Sequence, residues 1–585
     1  MNNKLICFGI IAGGLAACGQ SNPDIIRLNQ VGYFPQQEKV AVADTVGVTE
    51  FTVVNAATGA EVLKGSTQAT VPNPWSSKTR TTMDFSSVSE PGQYWLLAGG
   101  DTAVFEVKER PLQVVADAAL KSFYYQRTGM PIEEQYAGQW NRPVGHPDTQ
   151  VQIHPSAAGP SRKAGDVISS PKGWYDAGDY NKYIVNSAYS IGLMQAVYRL
   201  FPDYFAQQKV NIPESNNATP DLLDELYYNL SWMLTMQDPA DGGVYHKLTT
   251  PSFEAFIKPA DCQQPRYVVQ KSVTATLDFA AVMAQASQIY KAFQKDYPGF
   301  SAKALRAAER AYAWAEKHPE AYYDQDALNQ QYDPDVTTGT YGDKDASDEF
   351  FWAASELYYT TGKQSYLIKA VKSSPRSYTL PSWANTSALG MFAWLVPERE
   401  KQLKDVVASG LVGSLKSYLL AYATDAVKDA NEAAFHAPYG DSESDFGWGC
   451  LGEQGANQAT TLVYAYLLSG KNNYLTNAYR DMDYLLGRNP LGYCFVTGLG
   501  TKSPLHPHHR LSATDGVDAP IPGLLVGGPN PGQQDGVAYP SSLPDESYVD
   551  AEESYASNEI AINWSAALVA AASALDALSQ PSAEK

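Results

Sequence analysis

Leu357-Tyr-Tyr-Thr-Thr-Gly-Lys-Gln-Ser-Tyr-Leu367 is echoed further along the chain by Tyr466-Leu-Leu-Ser-Gly-Lys-Asn-Asn-Tyr-Leu475. Each reads as a helix end, a Gly-Lys turn and a Tyr-Leu pair opening the next helix. Glycine is the residue that most easily takes the left-handed conformation closing a helix, so the repeat marks a stack of helical hairpins. Apolar periodicity extends the pattern to about a dozen helical segments between residues 112 and 579. The clearest are 112–128, 184–200, 219–236, 270–292, 301–317, 346–362, 455–469, 471–487 and 557–579. About six such hairpins closing on themselves make an α/α toroid, although an open helical array has the same periodicity. Long irregular stretches at 140–173, 240–268 and 488–555 interrupt the helices. Loops that long within a folded domain are usually functional.

Ahead of the helices the text is strand-like. Val40-Ala-Val-Ala43, Phe51-Thr-Val-Val54 and Tyr94-Trp-Leu-Leu97 are short β-rich runs, parted by turn signals such as Ala57-Thr-Gly59 and Glu90-Pro-Gly92. This spacing predicts a small β-sandwich over 26–108, followed by a helical domain over 112–580. Residues 1–18 read as an export signal: Lys4 is the positive start, and Ile6 to Ala17 form an apolar run too short for a permanent span. The run ends in Leu15-Ala16-Ala17-Cys18, which resembles a bacterial lipobox and implies lipidation of Cys18; ordinary signal cleavage is the alternative. Residues 19–25 read as a tether, and the chain is expected as an exported bacterial lipoprotein of the cell envelope, at the outer membrane or cell surface. No later segment is expected to cross a membrane.

The 585 residues carry a formal charge of −20, which argues against a nucleic-acid partner. With the signal and Cys18 set aside, Cys262, Cys450 and Cys494 remain, enough for at most one disulfide and a free thiol. No zinc-like spacing of Cys and His is present, so no metal site is assigned.

Three constellations carry chemistry. Gly173-Trp174-Tyr175-Asp176-Ala-Gly-Asp179-Tyr180-Asn-Lys-Tyr183 sets two carboxylates three residues apart among aromatic side chains, the apolar surface on which sugar rings pack. Two such acids repel, so one should be harder to ionise; helix capping by Asp179 is the plainer alternative. Tyr548-Val-Asp550-Ala-Glu-Glu-Ser-Tyr555-Ala-Ser-Asn-Glu559 leads into an amphipathic helix, capped by Ser557 or Asn558. A general acid there must keep its proton against the helix dipole. Burial against Tyr555 and the crowding of Asp550, Glu552 and Glu553 are expected to ensure it. Pro504-Leu-His-Pro-His508-His509-Arg510 supplies hydrogen-bond donors suited to sugar hydroxyls or to orienting a carboxylate. A metal site or a plain surface loop are the alternatives.

These motifs, in this order, resemble glycoside hydrolase family 9, and Leu28-Asn-Gln-Val-Gly-Tyr-Phe-Pro35 resembles the start of the immunoglobulin-like domain preceding the catalytic domain in some members. The resemblance implies an (α/α)6 barrel and an inverting β-1,4-glucan hydrolase, acting on cellulose, mixed-linkage glucan or xyloglucan. It implies Asp179 as general base, Asp176 as holder of the water, Glu559 as general acid, and catalytic support from His508 and Asp550. Arg510, His509, Tyr555, Trp174 and Tyr175 are expected in the substrate cleft. An inverting pair should stand about 6.5–9.5 Å apart. No cofactor is required; a structural calcium, as in some relatives, would use Asp348 and Glu349, whose alternative is plain solvation or a helix cap. Exo-action as a β-glucosidase or glucosaminidase on short oligosaccharides, and a glycan-binding lipoprotein without catalysis, remain the rival functions.

Overall fold

The computed structural model describes residues 24–580 apart from Val46, Val71, Pro74, Ser77 and 401–403. The signal, the lipobox and Cys18 lie outside the described residues. The N-terminal part is a sandwich of two four-stranded sheets. One has the order β1 (Ile26–Arg27), β2 (Val40–Ala43), β6 (Thr81–Asp84), β5 (Gln68–Ala69); the other has β4 (Glu61–Ser66), β3 (Glu50–Asn55), β7 (Gly92–Ala98), β8 (Asp101–Val107). Alternation sets the packing: in β7, Tyr94, Leu96 and Ala98 face the core while Gln93, Trp95 and Leu97 face out. Tyr33, Phe85 and Phe105 close the centre, with the Phe85 and Phe105 rings 4.6 Å apart.

Among the described residues, twelve helices have eight residues or more. They are α1 (Gln113–Gln126), α2 (Ile184–Leu200), α3 (Asp221–Met233), α4 (Val273–Ile289), α5 (Phe300–Lys317), α6 (Ser347–Thr361), α7 (Gln364–Lys372), α8 (Ser387–Trp394), α9 (Val406–Ala426), α10 (Asn457–Ser469), α11 (Asn472–Leu485) and α12 (Ile562–Ser579). They alternate between an outer and an inner ring, and the sequence decides which. In α5 one face is buried, through Phe300, Ala304, Ala307, Ala308, Ala311 and Ala315, and the rest is charged, which suits an outer position. In α4 nearly every residue from Val273 to Ile289 is buried, as an inner helix packed on all sides must be. The inner ring closes: α2 packs on α4, α4 on α6, α6 on α8, α10 on α12 and α12 on α2. Phe392 of α8 stacks on Tyr464 of α10 at 4.0 Å.

The Gly-Lys repeats occupy equivalent places, each turning an inner helix into an outer one. Gly362 (φ 69°) ends α6 and Gly470 (φ 71°) ends α10, each N–H bonding back to a tyrosine carbonyl at 2.7 Å. Two helices, α9 and α12, meet the length and hydropathy of a membrane span by composition alone. Both are barrel helices, and the apolar window of α12 is 83% buried because it lies in the inner ring.

The stretches expected to be irregular hold a five-stranded sheet, in the order β10 (Val167–Ile168), β9 (Val151–Ile153), β13 (Tyr267–Val268), β12 (Lys247–Thr249), β11 (Lys182–Tyr183). Strands of two or three residues are too short to show a period in sequence. The sheet joins both insertions to the residues just after Asp179. The sandwich packs directly on the helical domain. Arg480 of α11 donates to both carboxylate oxygens of Glu38 (2.6 and 2.8 Å), and Gln30 Oε1 accepts from the backbone N–H groups of Thr501 and Lys502 (2.8 and 2.9 Å). The turn leading to His508 is thereby fixed by the N-terminal domain.

Candidate active site

Every inner helix begins at the same end of the barrel, and the segments just before those starts build one cavity of about 390 Å³. Asp176 and Asp179 precede α2, Phe253 lies in the insertion before α4, and Tyr341 precedes α6. Trp383 precedes α8, Trp448 and Glu453 precede α10, and Glu559 precedes α12; all of these line the cavity.

Asp176 and Glu559 meet through paired backbone. Ala177 bridges Ala561, the Ile562 N–H donates to the Asp176 carbonyl (2.8 Å), and the Gly178 N–H donates to Glu559 Oε1 (3.3 Å) across 381 residues of chain. Gly178 has to be glycine, because a Cβ there would lie 2.3 Å from the His508 carbonyl oxygen and 3.1 Å from Glu559 Oε1. Asp179 does not cap α2, whose start at Tyr183 has no side-chain cap. Instead its Oδ2 accepts from Asn181 Nδ2 (2.6 Å), Tyr183 Oη (3.1 Å) and the Asn181 N–H (3.3 Å). Asp176 accepts from Tyr341 Oη (2.6 Å) and Asn186 Nδ2 (2.8 Å). Tyr341 holds a left-handed backbone (φ 45°), strain of the kind that concentrates at functional sites.

Burial, then the charge of Asp179, push the Asp176 carboxyl up to about 8, against the pull of its Tyr341 and Asn186 bonds. Burial and the same Asp179 charge push Glu559 up to about 8, with the Gly178 N–H pulling the other way. Two sequence expectations about Glu559 need correction. It is not in the first turn of the last helix: α12 starts at Ile562 after an uncapped Ala561, and neither Ser557 nor Asn558 caps it. Glu559 sits in an extended segment paired with His508, so the opposing dipole is displaced by a turn. Nor do Asp550, Glu552 and Glu553 hold its proton; burial, Asp179 and Asp176 do.

The cleft residues are largely different from those expected. Trp174 and Tyr175 are wholly buried beneath the site: the Trp174 indole N–H donates to Glu225 (2.8 Å), and Tyr175 Oη bonds His146 Nδ1 (2.7 Å). An aromatic run beside a motif does not separate rings that face a sugar from rings that pack the barrel. His509 is also buried, bonded to Ser512 and Gln126 at 2.9 and 3.2 Å. Arg510 clamps backbone, giving Nη1 to the Gly178 carbonyl (2.8 Å) and Nε to the Glu254 carbonyl (2.9 Å). His508 Nδ1–H donates to the Glu552 carbonyl (2.6 Å), and its ring lies between Phe256 and Tyr555. Asp550 is not part of the cavity lining and ties the His loop together, accepting from the Leu505 and His506 N–H groups (2.8 and 2.9 Å) and Asn558 Nδ2 (3.1 Å). Tyr555 stays exposed at the rim, its ring 5.9 Å from that of Trp448.

Sequence reading missed Glu453, which burial pushes up to about 7. It stands in a π-helical turn, Leu451–Ala456, and accepts from Asn563 Nδ2 (3.2 Å). Asn563 Oδ1 accepts in turn from Asn186 (3.3 Å), which also holds Asp176. The missed aromatics are Phe253, Tyr341, Trp383, Trp448 and Trp564. The usable signal was their position just ahead of, or at the start of, inner helices.

Away from the cavity, Asp343, Asp348 and Glu349 bring carboxylate oxygens within 4.8 Å of one another. Both oxygens of the neighbouring Asp278 and of Glu349 are buried without a hydrogen-bond partner. Burial and mutual repulsion raise Asp278 and Glu349 far above the ordinary carboxylate range. An all-oxygen, strongly acidic set of this kind fits a hard divalent cation. Cys262, Cys450 and Cys494 are all free thiols, so the allowance for a disulfide among them is withdrawn.

A closed double ring of helices, with carboxyls set just ahead of two of its inner helices, α2 and α12, facing one cavity, defines a carbohydrate-cleaving enzyme of the α/α-barrel class. Residues 113–572 match glycosyl hydrolase family 9, and residues 21–103 match the cellulase N-terminal ig-like domain. The chain belongs to glycoside hydrolase family 9. It is 64% identical over 575 residues, 98% of this chain and 97% of the relative, to the xyloglucan-specific endo-beta-1,4-glucanase BoGH9A of Bacteroides ovatus. It is 33% identical to endoglucanase D of Acetivibrio thermocellus, over 93% of this chain and 82% of that one. A solved structure of a Bacteroides ovatus GH9 protein superposes with a TM-score of 0.92 at 63% identity, covering 95% of this chain and all (100%) of that one. AaCel9A in complex with cellobiose-like isofagomine superposes with a TM-score of 0.83 at 31% identity, covering 94% and 100%.

Proposed function

We propose that this chain is an inverting endo-β-1,4-glucanase that cuts the backbone of xyloglucan, with Asp179 as base and Glu559 as acid. The observation that carries the reading is the convergence of Asp176, Asp179 and Glu559 on one cavity, with the Gly178 N–H on Glu559. With its carboxyl pushed up to about 8, Glu559 holds a proton at neutral pH and gives it to the glycosidic oxygen as the bond to the anomeric carbon breaks. Asp179 takes a proton from the water that attacks the opposite face of that carbon, and the configuration inverts. Asp176, fixed by Tyr341 and Asn186, positions the water. Phe253, Trp383, Trp448 and Tyr555 offer rings for successive sugars. A glycan-binding role without catalysis would give no reason for a second carboxyl held in its acid form opposite Asp179. The similarity to a xyloglucan-specific endoglucanase supports the backbone chosen and internal cleavage over exo-action on short oligosaccharides.

Two further proposals accompany it. Asp343, Asp348 and Glu349 hold a structural calcium ion, with the neighbouring Asp278 adding negative charge. Leu15-Ala16-Ala17-Cys18 directs lipidation at Cys18 and tethering of the enzyme at the cell envelope. Time courses on xyloglucan, mixed-linkage glucan, cellulose and chitosan oligomers test the first. Xyloglucan viscosity should collapse while few reducing ends have formed, whereas release of monosaccharide from chain ends alone overturns endo-action. Chelation that leaves the melting temperature unchanged would dismiss the calcium. A Cys18→Ser chain that still partitions with membranes would dismiss the lipid anchor.

A further inference from the structure

The cavity holds a fourth acid that the proposed reaction does not use. Glu453 lines it together with Asp176, Trp448 and Asn563. It stands in the π-helical turn Leu451–Ala456, a local form that often marks a functional site. The turn is seated on the start of α12: a Cβ on Gly452 would lie 2.6 Å from Trp564 Cα. Glu453 is thereby held opposite Asn563, the second residue of α12, whose Nδ2 donates to Glu453 Oε1 at 3.2 Å.

Two buried amides continue from there to Asp176. Asn563 Oδ1 accepts from Asn186 Nδ2 (3.3 Å), and the same Nδ2 donates to Asp176 Oδ1 (2.8 Å). Asn563 is 3% exposed and Asn186 wholly buried, so neither can turn to bulk water for a partner. An amide offers donors on one side and an acceptor on the other, so the direction of each one fixes the direction of the next. Were Asn563 reversed, its donors would meet those of Asn186, and Asn186 would have to turn its own Oδ1 toward the Asp176 oxygen. The present direction leaves Asn186 Oδ1 buried without a hydrogen-bond partner, an unfavourable state that only strong acceptors elsewhere can impose. Those acceptors are the two acids at the ends, Asp176 and Glu453. Burial pushes Glu453 up to about 7, and both its ionised and its neutral form keep an oxygen able to accept from Asn563.

We propose that Glu453 is a positioning residue for Asp176: it sets the direction of the Asn563–Asn186 relay, so that Asp176 receives an N–H and is held where it orients the attacking water. The proposal deepens the glucanase reading and rests on it, because Asp176 is the water holder there. Glu453 acts through two other side chains, and no bond to sugar is asked of it. The role needs only an acceptor oxygen at position 453, so glutamine serves and an apolar side chain does not.

The test compares Glu453→Met, Glu453→Gln, Asn563→Leu and the double variant Glu453→Met, Asn563→Leu with the wild-type chain. On xyloglucan, Glu453→Met should lower kcat by ~10- to 100-fold, the size expected of a misplaced reacting group, with KM within ~3-fold. Glu453→Gln should keep kcat within ~3-fold of wild type, because it retains the acceptor. Asn563→Leu should match Glu453→Met, which covers the case of a poorly folding methionine variant. The double variant should be no slower than either single one, since both break the same relay. A raised KM at unchanged kcat, a glutamine variant as slow as the methionine one, or losses that multiply in the double variant each overturn the relay. A second readout needs no substrate. The Asn186 bond holds the Asp176 carboxyl down, so in a carboxyl NMR titration Asn563→Leu should move Asp176 further above about 8. The groups facing Asp176, namely Asp179, Glu559, Tyr183 and Tyr341, are untouched by that change. An Asp176 midpoint unmoved by Asn563→Leu overturns the proposal even if the wild-type chain proves to cut another glycan, so the two readings fail separately.

Discussion

Replacing Asp179 by Asn removes one negative charge without changing shape, and its effect should be readable on a different residue. Burial is the largest cause of the high Glu559 value of about 8, and the charge of Asp179 comes second. Two carboxylates about 7 Å apart, the spacing of an inverting pair, repel by about 2.4 kcal/mol at an effective dielectric of about 20. That corresponds to roughly 1.7 pH units. In Asp179→Asn the Glu559 midpoint should therefore fall to between about 6 and 7, and stay above an ordinary glutamate because the burial is unchanged. The assay is a pH titration of ¹³C-carboxyl glutamate by NMR, with Glu559→Gln identifying the resonance. A midpoint unmoved by Asp179→Asn would show that the two groups do not share a field and would remove the physical basis for pairing them. A fall to the ordinary carboxylate range would show that burial is not the main cause.

Glu559→Gln should lower turnover of xyloglucan by at least ~10³ while calorimetric binding stays within a few-fold, and near-normal turnover would end the acid assignment. Activity should fall as pH rises through about 8, where Glu559 loses its proton, and a profile flat beyond pH 9 would contradict it. Stability should follow the same sign. Folding raises Asp176 and Glu559 above their unfolded values, so their contribution is fully present below about pH 4 and is lost as pH rises through about 8. Melting temperature should fall between pH 5 and 9, and the double variant Asp176→Asn, Glu559→Gln should flatten that slope. Gly178→Ala forces a methyl group to within 2.3 Å of the His508 carbonyl, so turnover should drop by ~10-fold or more, with a lower melting temperature; wild-type kinetics would refute the close approach.

The fold was legible where the physics is periodic. The alternation of inner and outer helices follows from whether a segment is apolar on one face, as α5 is, or all round, as α4 is. The two Gly-Lys turns mark the same step of the ring because a left-handed residue ends a helix in the same way each time. The five-stranded sheet was not legible, since β9 to β13 are each two or three residues long and β9 finds β13 only across more than a hundred residues of chain.

The site was legible in part. Asp176, Asp179 and Glu559 stood out because acids crowd aromatic residues there, and they do converge on one cavity. Trp174 and Tyr175 stood out by the same signal, and His509 by its place in a run of hydrogen-bond donors, and all three turned out to be packed in the barrel. Adjacent residues on an extended segment point in opposite directions, so a motif cannot have all its members in the cleft. Glu453 and Trp448 were missed because what places them is the ring itself: they precede α10, and only closure of six inner helices brings that start beside Asp176.

The stereochemistry of the first product tests the central claim most directly. A base and an acid on opposite faces of one linkage, with water attacking once, must yield the α-anomer from a β-1,4 bond. Proton NMR of a xyloglucan digest, recorded within the first minutes before mutarotation, should show the α-anomeric signal rising ahead of the β signal. The β-anomer appearing first would mean double displacement, and Asp179 and Glu559 could not then act as the base and acid of a single inverting step.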